Sequence, residues 1–371
     1  MAHRYIIGQS GTGKSTLIKE LILNDIAAGH AVMFIDPHGH DIDDLLPYIP
    51  RRRVKDTVLF DPLAAPVLSW NPLTETTDIP LTATALSDAI KDAWGYHGFT
   101  TPVMDMYLYF SIATLMDTGC TLFDSLKLFT DSDYRTQLTD TVTDTVLKDF
   151  WLWYSGLSQK EQREQASSTL NKLHVLFADP AIRQLLSQTN GRFRLTDFIK
   201  DKVLLVRLPQ GQLGQSKTRL LGSILLALTH TLALSRSPDP PLSLYVDECH
   251  LFAPSTLAEL LSGSRKFGVS LTVAHQYINQ LDSQLFAALM GNATARSVFR
   301  VSPEDAVRFQ QRLGRNAAHF DLDELRDFTY RPFPFDSRSG DRTVSPTNRK
   351  ADPNTTHRIR TNTERNYSRP R

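Results

Sequence analysis

The feature that most constrains this chain is a glycine-rich loop. The run Gly8-Gln9-Ser10-Gly11-Thr12-Gly13-Lys14-Ser15 matches the pattern G-x-x-x-x-G-K-[ST] at every fixed position. The apolar run Tyr5–Ile7 precedes the loop, and Ser15–Ala28 follows it with apolar residues at helical spacing. A strand, a glycine loop and a helix in this order predict a loop whose backbone N–H groups surround a phosphate group.

The residue types in the loop indicate a triphosphate and a magnesium ion. Lys14 suits the β- and γ-phosphate oxygens, Ser15 suits Mg²⁺, and Thr16 is expected near the α-phosphate. A chance glycine turn is the alternative, and the flanking strand and helix argue against it. We therefore predict that ATP binds with Mg²⁺ at a site formed by Gly8, Gln9, Ser10, Gly11, Thr12, Gly13, Lys14, Ser15 and Thr16.

A pair of carboxylates supplies the second half of a hydrolytic site. The apolar run Leu242–Val246 predicts a strand, and Asp247 and Glu248 follow it directly. Asp247 is expected to hold Mg²⁺, and Glu248 to orient or deprotonate the attacking water. The alternative is an acidic N-cap that opens the next helix. Because a complete phosphate loop is present, we favour the catalytic interpretation.

Three polar residues near the next predicted strand, Ser270–Ala274, are further candidates. Gln276 follows this strand and is expected to contact the γ-phosphate or the water. His275 is equally compatible with a supporting role and with a purely structural one. From spacing alone, Arg265 indicates a charge that complements a helix C-terminus.

The order of patterns along the chain predicts an α/β fold with a mostly parallel central sheet and an inserted all-helical subdomain. Residues 1–78 and 201–330 carry alternating strand and helix patterns, whereas residues 79–200 carry helical patterns almost throughout. We predict a nucleotide-binding domain in two parts, interrupted by the helical insertion.

The segment 337–371 has a different composition. It contains nine Arg or Lys residues, three Asp or Glu residues, and only Val344 and Ile359 as large aliphatics. Such a segment offers little apolar surface to offset the entropy lost on ordering. We therefore predict a disordered basic tail.

Bulk properties are those of an ordinary globular protein. The formal net charge is +1 and 41% of the residues are hydrophobic, so global charge indicates no particular partner. The two cysteines, Cys120 and Cys249, favour a reducing compartment over a disulfide scaffold. The longest apolar stretch, Leu220–Leu234, is too short and too polar to cross a bilayer. We expect a cytoplasmic protein with no membrane span of its own.

Several segments together resemble the FtsK–HerA superfamily of DNA-pumping ATPases. The resemblance is carried by Phe34-Ile35-Asp36-Pro37-His38-Gly39, Val246-Asp247-Glu248, Ser264-Arg265-Lys266-Phe267-Gly268, Ala274-His275-Gln276 and Gly291-Asn292. Trp70-Asn71-Pro72-Leu73 and Leu208-Pro209-Gln210-Gly211 narrow it to the cytoplasmic part of conjugative, type IV secretion coupling proteins. It covers roughly residues 4–315.

The resemblance implies a RecA-like P-loop domain with an all-α insertion, assembled as a ring, usually a hexamer. It makes Arg265 a candidate finger that acts on the neighbouring subunit's nucleotide, and Gln276 the residue that couples nucleotide state to DNA. Arg300 is a weaker candidate for the same interface. Such proteins usually carry membrane helices ahead of the loop, which here begins at Gly8. We therefore expect any contact with the inner membrane to pass through partners.

The leading interpretation is an ATP hydrolase that moves DNA in conjugative transfer. A relaxase or a secretion-channel component is a further candidate partner. Backbone binding to DNA needs positive charge, which the cluster Arg51-Arg52-Arg53 and the basic tail offer, although a solvated surface is the alternative for both. A viral genome-packaging ATPase, and a nucleotide-dependent assembly switch without motor activity, are the competing functions.

Overall fold

The computed structural model describes residues 2–96, 101–313, 321–333 and 340–368. The chain divides into two compact units. The first comprises residues 1–60, 197–212 and 233–362, and the second comprises residues 61–196, 213–232 and 363–371. Among the described residues, no helix has the length and apolar character that a membrane span requires.

The first unit is built on a sheet to which the described residues contribute nine strands. They are β1 (Arg4–Ile7), β2 (Ala31–Asp36), β3 (Thr57–Phe60), β4 (Val203–Arg207), β5 (Leu242–Val246), β6 (Val269–His275), β7 (Ala295–Val298), β8 (Thr329–Phe333) and β9 (Arg342–Thr343). Their order across the sheet is β3-β4-β2-β5-β6-β1-β7-β8-β9. The pairs from β3 across to β7 are parallel, and β7–β8 and β8–β9 are antiparallel. The prediction of a mostly parallel central sheet is confirmed.

Helices connect these strands and make up most of the second unit. The described α-helices are α1 (Lys14–Ala28), α2 (His40–Leu45), α3 (Ile79–Ala93), α4 (Pro102–Asp117), α5 (Ser125–Thr130), α6 (Ser132–Thr141), α7 (Thr145–Gly156), α8 (Gln159–Ala178), α9 (Pro180–Leu186), α10 (Leu195–Asp201), α11 (Gln210–Leu213), α12 (Gln215–Ala233), α13 (Pro254–Gly263), α14 (Ser283–Asn292), α15 (Pro303–Leu313) and α16 (Pro353–Tyr367).

The register of β1 decides where the phosphate loop lies. Arg4 to Ile7 pair with Thr272 to His275 of β6 on one side and with Ala295 to Val298 of β7 on the other. Since neighbouring parallel strands end at the same edge, the loop after Ile7 emerges beside the carboxyl ends of β6 and β7. The helix that follows, α1, buries Leu17, Ile18 and Ile22 in the core of this unit.

The second unit has an aromatic core. Tyr107 packs against Phe129, Phe150 and Tyr154 with ring centroids 5.6–5.7 Å apart. Trp151 is fully buried, and its indole Nε1–H donates to Thr114 Oγ1 at 2.7 Å. Aromatic pairs at this spacing add to the stabilisation from buried area.

The motif at Trp70 has a structural role in this unit. The carboxylate of Glu75 is buried and accepts from Trp70 Nε1 at 2.9 Å and from the backbone N–H of Leu195 at 2.8 Å. Asn71 accepts from Leu73 N–H and donates to the Cys120 carbonyl. These bonds fasten the start of the helical region to its end.

The two units depart from the predicted domain boundaries in three places: residues 61–78 and 213–232 belong to the second unit, and residues 197–200 belong to the first. Residues 215–232 of α12 belong to the second unit, although the sequence placed them in the nucleotide-binding domain. Leu221, Leu225 and Leu228 are fully buried along it, and so are the hydroxyl residues Thr218 and Ser223. The alternation of strand and helix patterns on either side gave no sign of this allocation.

The prediction of a disordered tail at residues 337–371 is wrong where the structure describes β9 and α16. This segment contains β9 and α16, and its two large aliphatics are the anchors: Val344 and Ile359 are 4% and 0% exposed. Both belong to the hydrophobic core that contains Leu17 and Phe34. Two well-placed apolar side chains and several ion pairs order a segment whose average composition suggested otherwise. The rest of the predicted tail lies outside the described residues.

Candidate functional site

The phosphate loop needs glycine for two different reasons. A Cβ on Gly8 would lie 2.5 Å from Phe299 Cβ, so no larger residue fits there without a shift. Gly13 has φ of 109° and is the N-cap of α1, without a side-chain cap. Glycine adopts such a conformation at no steric cost. The first turn of α1 therefore presents its N–H groups toward the space above the loop.

Lys14 lies over the loop. It is 8% exposed, and its Nζ donates to the carbonyls of Gly8 at 2.7 Å and Gln9 at 3.0 Å. Burial lowers the pKa of this ammonium, and the nearby charges of Glu248 and Asp247 oppose that effect. Lys14 is thus a buried cation in need of anionic partners.

A cavity of about 390 Å³ opens above the loop. It brings together the predicted phosphate-loop residues, the carboxylate pair and the strand-end glutamine, although these are far apart in the chain. Its lining consists of Ser10, Gly11, Gly13, Lys14, Ser15, Thr16, His38, His40, Asp41, Asp247, Glu248, Gln276 and Phe328.

Asp247 and Glu248 directly follow β5, and their surroundings differ. Asp247 is 5% exposed, and burial, followed by the charge of Glu248, raises its pKa to about 8. Glu248 has φ of 45°, a left-handed conformation that is unusual outside glycine and that clusters at functional sites. The bend turns the two carboxylates to separate positions on the cavity wall.

Gln276 reaches Glu248 directly. Its Nε2 donates to Glu248 Oε1 at 2.8 Å, while Glu248 Oε2 lies 3.3 Å from His250 Nδ1. Glu248 Oε2 is buried and accepts no hydrogen bond from the described residues. A buried oxygen in this condition suits a water molecule or another donor brought by a ligand.

His275 is a structural residue. Its Nδ1–H donates to the Tyr277 carbonyl at 3.0 Å, so Nε2 accepts from the Tyr5 hydroxyl at 2.7 Å. The ring is fully buried and stacks on Tyr5, with 5.4 Å between centroids. Burial lowers the pKa of His275 to about 3, so the ring is neutral at physiological pH. It fixes the backbone that carries Gln276.

The segment Asp36–Gly39 forms the facing wall. Asp36 is fully buried and its carboxylate accepts from the backbone N–H groups of His38 and Ile42, at 2.8 and 3.2 Å. This cap sets the start of α2 and brings His38, His40 and Asp41 to the cavity. No role at the site was predicted for these three residues from the sequence, although His38 belongs to the motif Asp36–Gly39 and His40 and Asp41 follow it directly.

The two candidate arginines lie at opposite ends of the strands of the sheet. Arg265 is exposed in a 3₁₀ turn just before β6, beside His3, whereas the cavity lies at the carboxyl end of that strand. It therefore does not join the site of its own chain. Arg300 follows β7 beside the loop: its Nε lies 3.4 Å from Gln9 Oε1 and it pairs with Asp327 at 2.8 Å.

The basic cluster at 51–53 is mostly structural. Arg53 is 7% exposed and donates to the carbonyls of Ile26, His30 and Asp201, and Arg52 donates to the carbonyl of Ala27. These bonds satisfy carbonyls at the ends of α1 and α10. Arg51 and Arg52 are both exposed, and the side chain of Arg51 is 80% exposed.

Basic residues of the C-terminal segment also have partners in the first unit. Arg349 donates to Asn24 at 2.8 Å, and Arg360 pairs with Asp43 at 3.1 Å. Two of the basic residues that were considered for nucleic-acid binding thus have partners within the protein.

Comparison with known proteins identifies relatives. The family model for the type IV secretion-system coupling protein DNA-binding domain matches residues 1–319. No curated protein sequence is significantly similar to the chain.

Solved structures share the fold at low identity. The plasmid coupling protein TrwB with the GTP analogue GDPNP is 16% identical, with a TM-score of 0.66 over 95% of this chain and 88% of that one. TrwB with ADP and Mg²⁺ is 18% identical, with a TM-score of 0.65 over 95% and 87%. VirB4 of Thermoanaerobacter pseudethanolicus is 16% identical, with a TM-score of 0.63 over 95% and 90%.

These matches confirm the RecA-like P-loop fold expected from the motifs. Together with the family model over residues 1–319, they establish the assignment: the chain belongs to the type IV secretion-system coupling protein family, in its DNA-binding domain.

Proposed function

We propose that this chain hydrolyses ATP and uses the energy to move DNA within a ring of identical subunits. The observation that carries the proposal is the meeting of Lys14, Asp247 and Glu248 on one cavity, with Gln276 bonded to Glu248. A nucleotide-binding loop alone serves many functions, whereas a buried carboxylate next to an oriented one suits water activation.

The residues of the cavity fit a magnesium–triphosphate. The uncapped first turn of α1 and the buried Lys14 ammonium supply positive charge, and Ser15 and Asp247 supply oxygen ligands for Mg²⁺. Mg²⁺ there neutralises charge on the phosphate oxygens. Support comes from the relatives: TrwB structures contain GDPNP, ADPNP, or ADP with Mg²⁺.

The protein side of the reaction uses three groups. Lys14 exchanges the carbonyls of Gly8 and Gln9 for phosphate oxygens. Glu248 accepts the proton of the attacking water, and the bond from Gln276 Nε2 holds its Oε1 in place. Gln276 is followed directly by Tyr277, whose side chain is exposed. In this proposal, Gln276 and Tyr277 transmit the loss of the γ-phosphate from the cavity to the surface.

The position of Arg265 supports the proposed ring assembly. Arg265 lies before the amino end of β6, whereas the cavity lies at the carboxyl end of that strand. A role in hydrolysis therefore requires the nucleotide of a neighbouring subunit. DNA binding and transport are proposed from the family description, and they call for salt-sensitive contacts with the phosphate backbone.

The decisive experiment is ATP turnover by the purified chain with and without DNA. We expect single- or double-stranded DNA to stimulate hydrolysis, Lys14→Ala to abolish it, and Glu248→Gln to bind ATP while turning over about 10²–10⁴-fold more slowly. Glu259→Gln, an exposed carboxylate on α13, is the matched control. Turnover that ignores both DNA types would favour a nucleotide-dependent switch over a motor.

A further inference from the structure

Phe328 lies at the phosphate loop but outside the part of the chain that the family model matches, residues 1–319. It immediately precedes β8, and its φ is 60°. The left-handed region is uncommon for a bulky side chain, and such strain persists where surrounding contacts hold it.

Two backbone hydrogen bonds hold Phe328 in this conformation. Its N–H donates to the Thr12 carbonyl within the phosphate loop at 2.8 Å, and its carbonyl accepts from Val344 N–H at 2.8 Å. Val344 is buried in the core, so the residue is fixed between the loop and a rigid anchor. The preceding residue, Asp327, pairs with Arg300, which lies beside Gln9 of the same loop.

The ring of Phe328 remains open to the cavity. It is 42% exposed, whereas the neighbouring Tyr330 and Val344 are 7% and 4% exposed. A Cβ on Gly13 would lie 3.0 Å from Phe328 Cδ1, so the ring lies against the loop at its last glycine. Because this apolar ring lines the cavity, it is available to the apolar part of a bound ligand.

Most of the remaining cavity wall is polar or charged. Lys14, Ser15 and Thr16 line the part proposed to hold the phosphates, and Asp247, Glu248 and Gln276 line the part proposed to hold the reacting end. Among the described lining residues, Phe328 is the only phenyl or indole-type ring. The part of a nucleotide that matches a flat apolar surface is its base.

We propose that Phe328 is the platform on which the nucleobase of the bound triphosphate stacks. The inference deepens the proposed function and rests on it. Stacking does not read hydrogen-bonding groups on the base, so Phe328 serves adenine and guanine alike. Strain in its backbone is the cost of presenting the ring at the loop.

The test compares ligands with and without a base. Binding of Mg²⁺–ATP, Mg²⁺–GTP and Mg²⁺–tripolyphosphate is measured by calorimetry for the wild type, Phe328→Ala, Phe328→Asn and Phe328→Trp. Asparagine tolerates the left-handed conformation, so Phe328→Asn removes the ring and keeps the backbone. Trp153→Ala, an exposed aromatic on α7, is the control.

We expect the alanine and asparagine variants to bind both nucleotides about tenfold more weakly and tripolyphosphate within about twofold of the wild type. Phe328→Trp should retain nucleotide affinity and gain a tryptophan signal that ATP quenches and tripolyphosphate does not. Equal losses for all three ligands would mean that Phe328 only braces the loop. Unchanged nucleotide affinity would also overturn the proposal.

The wild type separates this outcome from failure of the proposed function. If the wild-type chain binds neither ATP nor tripolyphosphate in a way that depends on Lys14, the nucleotide site itself is wrong. If it binds both and only the Phe328 variants behave unexpectedly, the stacking inference alone fails.

Discussion

Gln276 Nε2 donates a 2.8 Å hydrogen bond to Glu248 Oε1, and this bond joins the carboxyl ends of two adjacent strands, β6 and β5. The backbone of Gln276 is held by the turn after β6, where its N–H donates to Gln280 Oε1 at 2.8 Å. The acceptor sits on a backbone bent into the left-handed region. The proposed base is therefore oriented by a neighbouring strand.

Removing this bond should lower turnover more than binding. In Gln276→Ala, Glu248 loses the donor that fixes its orientation, so we expect kcat to fall about 10–100-fold with little change in KM. Steady-state kinetics measure the split. A matched loss in nucleotide affinity would place Gln276 on the phosphates instead, and a loss of DNA stimulation alone would make it a coupling residue.

Asp247 should make the nucleotide-free protein less stable as the pH rises. Its native pKa is about 8, above its ordinary value of 3.8, so the folded state holds a proton that the unfolded state has released between these values. Stability therefore falls as pH increases from about 4 to about 8. Asp247→Asn should be about 1–4 kcal/mol more stable at pH 8, with a smaller gain at pH 5.

Denaturant titrations at the two pH values measure this difference. The same variant should lose Mg²⁺-dependent nucleotide binding, because an amide is a weaker magnesium ligand than a carboxylate. In the wild type, calorimetry in buffers of different ionisation enthalpy should detect proton release on binding Mg²⁺–ATP at pH 7. No proton release would contradict the raised pKa.

Two buried histidines predict loss of stability in acid. The pKa of His275 is lowered to about 3 and that of His3 to about 4, both mainly by burial, from an ordinary 6.5. Their neutral forms contribute fully above pH 6.5, and the contribution is lost as pH falls toward the native values. Between pH 6.5 and pH 5 each should cost about 2 kcal/mol of unfolding free energy.

His275→Gln should reduce this pH dependence by about half, although the variant starts from a lower stability. The exposed His174→Gln provides the comparison. If His275→Gln loses as much stability between pH 6.5 and pH 5 as the wild type, the acid sensitivity arises elsewhere.

Mixing inactive variants should test the role of Arg265. Lys14→Ala lacks a working loop and Arg265→Ala lacks the proposed finger, so neither should hydrolyse ATP at more than about 10⁻³ of the wild-type rate. In mixed rings about a quarter of the interfaces combine an intact loop with an intact arginine, and activity should return in proportion.

The neighbouring exposed cation gives the matched control, since Lys266→Ala should stay active by itself. Absence of recovery in rings shown to be mixed would argue that Arg265 does not act across an interface.

Local patterns predicted the elements well. The strand Leu242–Val246 has the predicted bounds, and the loop, the carboxylate pair and Gln276 do meet on one cavity. These features depend on periodicity and on short motifs, which a single sequence carries within a few residues.

Features that depend on distant partners were missed. Val344 and Ile359 order the C-terminal segment because both side chains pack into the core of the first unit. The composition of the segment does not reveal this packing. Phe328 carries no sequence signal for its left-handed backbone, since its bonds go to Thr12 and Val344.

The position of β1 has a consequence for how the site comes into being. Both strands that flank it, β6 and β7, are encoded some 270–290 residues later. At about 5–20 residues per second, a ribosome needs tens of seconds to add them. Until then the phosphate loop has no sheet to emerge from, and the nascent chain carries an apolar strand without neighbours. Nucleotide binding is thus acquired late in biosynthesis, and a chain that stops short of residue 298 should be recognised by chaperones as incomplete.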